Sequence, residues 1–284
     1  MSPTFTSSPT AVSVVLGASR GLGLALSAAL LQRSPGRVVA LSRRPGDAPA
    51  LMELKEAAAG RLSCLSCDVT DTGSLSAMAE QLKAEHQQVD LLLNVAGILH
   101  DTVEGGSNMP ERRLAAVDPE WMARVYAVNA MGPVLTTQAI QPLLSDGAVI
   151  ASLSARVGSI GDNRLGGWWS YRMSKSALNM GAPSQDRPTA GAPPALPTAL
   201  SRVCFAIAAT RNMAIEMRRN NVIAVALHPG TTATDLSKPF QRNVKPEKLF
   251  SPEYTAGMLL DVLEGLTPED SGEFFAYDGT KIEF

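Results

Sequence analysis

Short, continuously apolar runs that alternate with helical apolar patterns constrain this chain more than any other feature. Val12–Leu16 is apolar and ends in glycines, Leu22–Leu31 carries a helical pattern, and Arg37–Ser42 is apolar again. The rhythm continues through a helix at Ala48–Ala59, a strand at Leu62–Cys67, a helix at Thr72–Gln87 and the strongly apolar Val89–Leu93. Strands that are apolar throughout are buried on both faces, which calls for a parallel sheet covered by helices. A long helix is predicted from Pro119 to about Leu144, with Asp118 as its N-cap and Pro119 and Glu120 in the first turn. A strand at Ala148–Leu153, a helix at Asn212–Arg219, a strand at Val222–Leu227, a helix at Pro252–Glu264 and a terminal strand at Gly272–Ala276 complete the series. The fold class is therefore α/β: a doubly wound, seven-stranded, mostly parallel sheet flanked by helices, without an internal repeat.

Composition narrows the partners. With 25 basic and 27 acidic residues the formal net charge is −2, which offers no general attraction for nucleic acid or an anionic membrane, so a small molecule is expected. Three cysteines in 284 residues cannot build a disulfide framework, and the odd count points to a reducing compartment, the cytoplasm. Cys64 and Cys67 lie on a predicted strand whose alternation sends the two thiols to opposite sides, so no metal or redox site is expected there. No apolar run reaches the ~18 residues of a membrane span, and Met1–Pro9, without a basic end or an apolar stretch, reads as a frayed tail.

Gly17-Ala18-Ser19-Arg20-Gly21-Leu22-Gly23 sits between the first strand and the first helix, where glycines let the backbone turn tightly and a pyrophosphate approach the helix N-terminus. An acidic residue at the end of the second strand would hold a ribose 2′-hydroxyl, but here Ser42-Arg43-Arg44 stands there. Arg43, with Arg20 in the turn, favours NADP(H) over NAD(H), because a guanidinium forks onto a phosphate. Tyr171 and Lys175 are four residues apart on one helical face, where the ammonium can stabilise a phenolate that otherwise forms only near pH 10. Trp168 and Trp169 just before Tyr171 either wall a substrate pocket or pack ordinarily. His86 and His100 read as surface positions, and His228 as packing at a strand end.

Taken in order, these motifs resemble the short-chain dehydrogenase/reductase family, in its single-domain branch with a Rossmann fold. The pattern includes Gly17, Gly21, Gly23, Asp68, Asn94-Val95-Ala96-Gly97, Asn129, Tyr171, Lys175, Pro229-Gly230 and Thr234. The stretch Ser154–Asn163 followed by Tyr171 looks most like the C-factor-like and sniffer-like carbonyl reductases. The resemblance implies an NADPH-dependent oxidoreductase acting on a carbonyl or alcohol. Ser19, Arg20, Leu22 and Arg43 would contact the cofactor beside the glycines. Asp68, with Val69, would hold the adenine, and Asn94, Ala96 and Gly97 would line the adenosine. Thr232 and Thr234 would anchor the nicotinamide carboxamide, with Pro229 and Gly230 beside them among the cofactor-binding residues. Tyr171 would be the acid/base, Lys175 would also hold the nicotinamide ribose, and Asn129 would hold a water that relays the proton. Ala155 stands where the second serine of a Ser-Ser pair is usual, which leaves Ser154 to polarise the carbonyl, with Ser152 and Ser159 as alternatives. On strand alternation Ser154 faces away and would need a small local shift. Leu236–Val244 would be the segment that covers the substrate.

One stretch departs from this pattern. Gly181–Pro197 contains five prolines where the helix carrying Tyr171 and Lys175 should continue. Joining Met180 to Thr210–Met217 would restore that helix, so residues 181–209 read as an interruption of a single domain spanning 1–284. A retained intron or gene-model error accounts for it better than a working insertion. The other function such a chain could serve is that of a nucleotide-binding, catalytically impaired relative with a signalling or regulatory role. A homodimer or homotetramer would be usual for the resemblance.

Overall fold

The computed structural model describes residues 5–101, 108–179 and 209–283, so the suspected extra segment lies, apart from Ala209, outside the described residues. A seven-stranded sheet in the order β3-β2-β1-β4-β5-β6-β9 forms the centre, and every pairing in it is parallel. Its strands are β1 (Val12–Leu16), β2 (Arg37–Ser42), β3 (Leu62–Ser66), β4 (Val89–Asn94), β5 (Leu144–Leu153), β6 (Ile223–His228) and β9 (Phe274–Ala276). The short β7 (Thr231–Thr232) and β8 (Leu249–Phe250) pair with each other outside it.

Alternation along each strand feeds two cores. Val15, Val38, Ala40, Leu91, Leu93, Val149, Ala151 and Val225 point to one face, where α1 (Gly21–Arg33), α2 (Pro49–Ala57) and α8 (Pro252–Glu264) bury Leu26, Leu51 and Leu259. Val14, Val39, Leu92, Ile150 and Ala224 point to the other, under α3 (Thr72–Glu85), α5 (Gly132–Ile140) and α7 (Ala209–Glu216). Cys64 packs in the first core and Cys67 in the second, as the strand reading requires. The reading of Met1–Pro9 as a frayed tail needs correction. Phe5 is fully buried in the first core, and its carbonyl accepts a 2.8 Å bond from the Ser34 hydroxyl. Among the described residues no helix is long and apolar enough to cross a membrane.

The predicted helix from Pro119 to Leu144 also differs in detail. Asp118 does cap α4 (Pro119–Tyr126), accepting from the Glu120 N–H, but Ala127–Met131 widens into a π turn before α5, and β5 already begins at Leu144. Pro133 gives the reason: it has no N–H to donate back to the Asn129 carbonyl four residues earlier, and its ring crowds that carbonyl. Beyond the described end of α6 (Trp169–Asn179), α7 starts against it, with the Thr210 hydroxyl donating to the Leu178 carbonyl at 2.8 Å across 32 residues of sequence.

Candidate functional site

The strand order reverses between β1 and β4, the point at which a doubly wound sheet opens a crevice outside the C-terminal ends of its strands. Two glycines close the turn that borders it. Gly17 has φ +88°, and a Cβ on it would come within 2.7 Å of the Ala96 nitrogen. A Cβ on Gly23 would lie 2.2 Å from the Gly17 carbonyl. At the start of α1 the extended Arg20 contributes no side-chain cap and the first turn holds no carboxylate. Its N–H groups and the positive end of its dipole are thus left for an external anion. Ser19 is half-buried and Leu22 packs inward.

Arg43 is exposed at the end of β2, beside Asp68 after β3. Burial pushes the Asp68 carboxyl up, but hydrogen bonds from the Thr70 hydroxyl and N–H, together with Arg43 and Arg124, outweigh it and hold the group below its ordinary range. Val69 packs against Gly132, where a Cβ would come within 2.9 Å of its Cγ2. Arg20 reaches across the crevice mouth to Asp235 at 3.1 Å, in an exposed pair. The Val95 and Ala96 N–H groups both donate to the Leu16 carbonyl at 3.0 Å, and Asn94 Nδ2 donates to Ser152 Oγ at 3.3 Å, tying the β4 loop to β1 and β5. A glycine-lined helix N-terminus whose first turn holds no carboxylate, with a guanidinium near the second strand's end, fits a phosphorylated dinucleotide.

Next to this crevice the other candidates meet. A Cβ on Gly97 would lie 3.3 Å from Asn129 Oδ1, a tight approach, and 3.6 Å from Lys175 Nζ, an ordinary contact, so the turn passes closest to Asn129. The Asn129 side chain is fully engaged: Oδ1 accepts from the Ile98 N–H at 2.8 Å, while Nδ2 donates to the Ile98 carbonyl at 2.8 Å and to Ser174 Oγ at 3.1 Å. Lys175 Nζ donates to the Leu153 carbonyl at 2.7 Å and lies 5.8 Å from the Tyr171 ring centroid. Burial pushes the Lys175 ammonium down to about 7 and the Tyr171 phenol well above its ordinary value. In this structure burial, rather than the neighbouring ammonium, dominates the phenol, which holds its proton.

Ser154 directly follows β5, at the same alternation as Ile150 of the second core, and its N–H donates to the Leu227 carbonyl at 2.7 Å. Its hydroxyl is buried and finds no hydrogen-bond partner among the described residues. Ser152 Oγ accepts from Asn94 Nδ2 and Ser159 Oγ from the Asp162 N–H, bonds in which each hydroxyl keeps its own O–H to donate. The turn after β5 approaches α6 closely because Gly158 has no side chain: a Cβ would come within 2.7 Å of Lys175 Cβ.

Beyond β6, Gly230 has φ +71° and packs under Phe250 and Tyr277. Thr234 reaches the site of Gly21, 3.3 Å from where a Cβ would stand. Thr232 is buried and its hydroxyl is shared with Pro229 O and Thr255 Oγ1, so it braces the loop. Burial, with Arg156 nearby, pushes His228 down to about 4 at the end of β6, where it stays neutral, consistent with packing. Neither His100 nor His86 keeps its surface reading: His100 is buried, with Nδ1 2.8 Å from Asp101 O and Nε2 3.0 Å from Leu236 O, and the His86 ring is largely covered, so that burial lowers its pKa.

Sequence reasoning missed Glu111. This buried carboxylate accepts from both the N–H and the hydroxyl of Ser170, and its carbonyl accepts from the Trp168 N–H. A residue 59 positions away thus caps the helix that carries Tyr171. Glu111→Ala strands a buried hydroxyl and a first-turn N–H, so urea unfolding is expected to lose about 1–3 kcal/mol, with Glu111→Gln, which keeps one acceptor, losing less.

Residues 11–188 match the family of short chain dehydrogenases, and the chain belongs to that family of oxidoreductases. It is 30% identical over 271 residues to 1-hydroxy-2-glutathionyl-2-methyl-3-butene dehydrogenase of Rhodococcus sp., spanning 95% of this chain and 98% of that one. It is 34% identical over 196 residues to C-signal of Myxococcus xanthus, 68% of this chain and 92% of the relative. Among solved structures, the NADPH-bound carbonyl reductase from chicken fatty liver aligns at 28% identity with a TM-score of 0.74, covering 96% of this chain and 98% of that one. The carbonyl reductase Sniffer of D. melanogaster, 23% identical with a TM-score of 0.76 over 97% and 99% of the two chains, shares the fold.

Proposed function

We propose that the chain is an NADPH-dependent carbonyl reductase, in a single domain spanning 1–284 that residues 181–209 interrupt. The observation that carries the reading is the buried Lys175 Nζ, held on the carbonyl of Leu153 next to Ser154 and 5.8 Å from the Tyr171 ring, with the Ser154 hydroxyl buried and without a hydrogen-bond partner among the described residues. The relative crystallised with NADPH supports the cofactor choice, as does Arg43 in place of an acidic residue.

When bound, the reduced nicotinamide supplies the hydride. Tyr171 gives its phenolic proton to the carbonyl oxygen as that oxygen gains charge, and Ser154 donates a hydrogen bond to the same atom. Lys175 stabilises the phenolate left behind and holds the nicotinamide ribose. The proton returns to Tyr171 through Lys175 and a relay water. The Asn129 main-chain carbonyl is the acceptor suited to hold that water, since the Asn129 side chain is engaged and Pro133, four residues on, has no N–H to give it. In the cofactor crevice, the α1 N-terminus with Gly17, Ser19, Gly21, Leu22 and Gly23 takes the pyrophosphate, and Asp68 with Val69 takes the adenine. Asn94, Ala96 and Gly97 line the adenosine, and Pro229, Gly230, Thr232 and Thr234 form the loop at the carboxamide. Arg43 and Arg20 would hold the 2′-phosphate.

The test is consumption of NADPH and NADH with a panel of aldehydes and ketones. NADPH should be favoured, and Arg43→Ala should narrow that preference by about ten- to a hundredfold, the worth of hydrogen bonds to a charged group. No carbonyl turnover with either nucleotide would overturn the reading, and equal use of both by the unaltered protein would overturn the assignment of Arg43.

A further inference from the structure

Gly166, Gly167 and Trp168 have φ of +62°, +66° and +52°, three successive residues in the left-handed region directly before the helix that carries Tyr171. Glycine adopts this freely, but a tryptophan does so only when its surroundings hold it there, and such outliers gather at functional sites. The holding groups are visible. The Trp168 N–H donates to the Glu111 carbonyl, and Arg172 Nε donates to the Gly167 carbonyl at 3.0 Å.

This backbone places the indole against Tyr171, with ring centroids 6.2 Å apart at 75°, and against Phe240, 4.9 Å away at 53°. Phe240 belongs to the 3-10 turn Lys238–Asn243 after Thr234, and its ring also meets that of His100, with centroids 6.0 Å apart. The four rings form a row from the loop after β4, over the segment after β7, to the helix that carries the phenol. Both ring nitrogens of His100 are taken by main-chain carbonyls, so the row offers a substrate π surface rather than hydrogen bonds. Trp168 and Phe240 are only half-buried, leaving part of that surface open beside Tyr171.

We infer that Trp168, backed by Phe240, is a specificity-determining residue that selects carbonyl compounds bearing a flat, π-rich substituent on the carbonyl carbon over saturated rings of the same size. The inference rests on the carbonyl-reductase reading of the same site. Offset or edge-on ring contacts are favourable beyond the area they bury, and a puckered saturated ring cannot make them.

The test compares acetophenone with cyclohexyl methyl ketone as substrates of the full chain with NADPH. The ratio of their kcat/KM values should fall about three- to tenfold in Trp168→Leu, a ring contact's worth, and in Phe240→Leu, but less in Trp168→Phe. Intrinsic reactivity of the two ketones cancels in that change of ratio. An unchanged ratio in folded Trp168→Leu and Phe240→Leu overturns the inference. Should Trp168→Leu fail to fold, Phe240→Leu and Trp168→Phe still carry the comparison. If neither ketone turns over and the wider panel of aldehydes and ketones does not either, the carbonyl-reductase reading fails, and binding decides the wall separately. Quenching of indole fluorescence by acetophenone that is lost in Trp168→Phe, with Trp121 and Trp169 still present, supports the aromatic wall, and equal quenching in both proteins overturns it.

Discussion

Tyr171→Phe is expected to lower kcat/KM for carbonyl reduction by about 10²–10⁴-fold, the usual worth of a positioned general acid, while NADPH binding, measured by cofactor fluorescence, stays close to that of the unaltered protein. Burial pushes the Tyr171 phenol upward, so the group carries its proton through the neutral range and is ready to donate as charge develops on the substrate oxygen. Phenylalanine keeps the ring, and with it the edge contact to Trp168 and the packing over Lys175, and removes only the proton donor. A parallel loss in Ser154→Ala, smaller because a hydrogen-bond donor rather than the proton itself is removed, would place both groups on one oxygen. Ser154→Ala at full rate beside an inactive Tyr171→Phe would instead remove Ser154 from the site.

How legible this was depended on how local the cause was. The seven strands could be read because burial on both faces writes a continuous apolar run such as Leu91–Leu93 into the sequence, and every such run became a strand. The nucleotide turn could be read because Gly17 and Gly23 lack side chains for reasons that act within a few residues or across one strand pair. The π turn at Asn129 also had a local signal, Pro133, but the apolar pattern runs through it and suggests one unbroken helix. Glu111 and His100 had no local signal. Their partners, Ser170 and Leu236, lie 59 and 136 positions away, and a carboxylate or imidazole in a polar loop looks solvated until the chain folds back on it. Ser154 fell between these cases: alternation fixed that it had a face, but which face was decided by the register of β5 with β4 and β6.

Lys175→Met should both abolish turnover and, at neutral and lower pH, make the protein more stable. Burial depresses the Lys175 ammonium from 10.5 to about 7, so between those pH values the unfolded chain binds a proton at this residue that the folded chain does not. Stability therefore rises with pH across that window, and the cost of the buried charge is fully present below about pH 7. At about 1.4 kcal/mol for each tenfold change in protonation, that cost is a few kcal/mol. Methionine relieves it with a side chain of similar length, but leaves the Leu153 carbonyl without its donor, a loss of about 1–3 kcal/mol. The two effects separate by pH. Below pH 7 relief of the charge dominates and the variant melts higher. Above about pH 10 the lysine is neutral in both states, only the lost hydrogen bond remains, and the variant melts lower. Melting curves across this range should cross for the two proteins, and parallel curves would show that Lys175 keeps its charge in the folded state at little cost. The crossing would also explain why the residue stands there. A lysine that weakens the fold at the pH where it is charged is retained for its ammonium, which sits where the Tyr171 phenolate needs it.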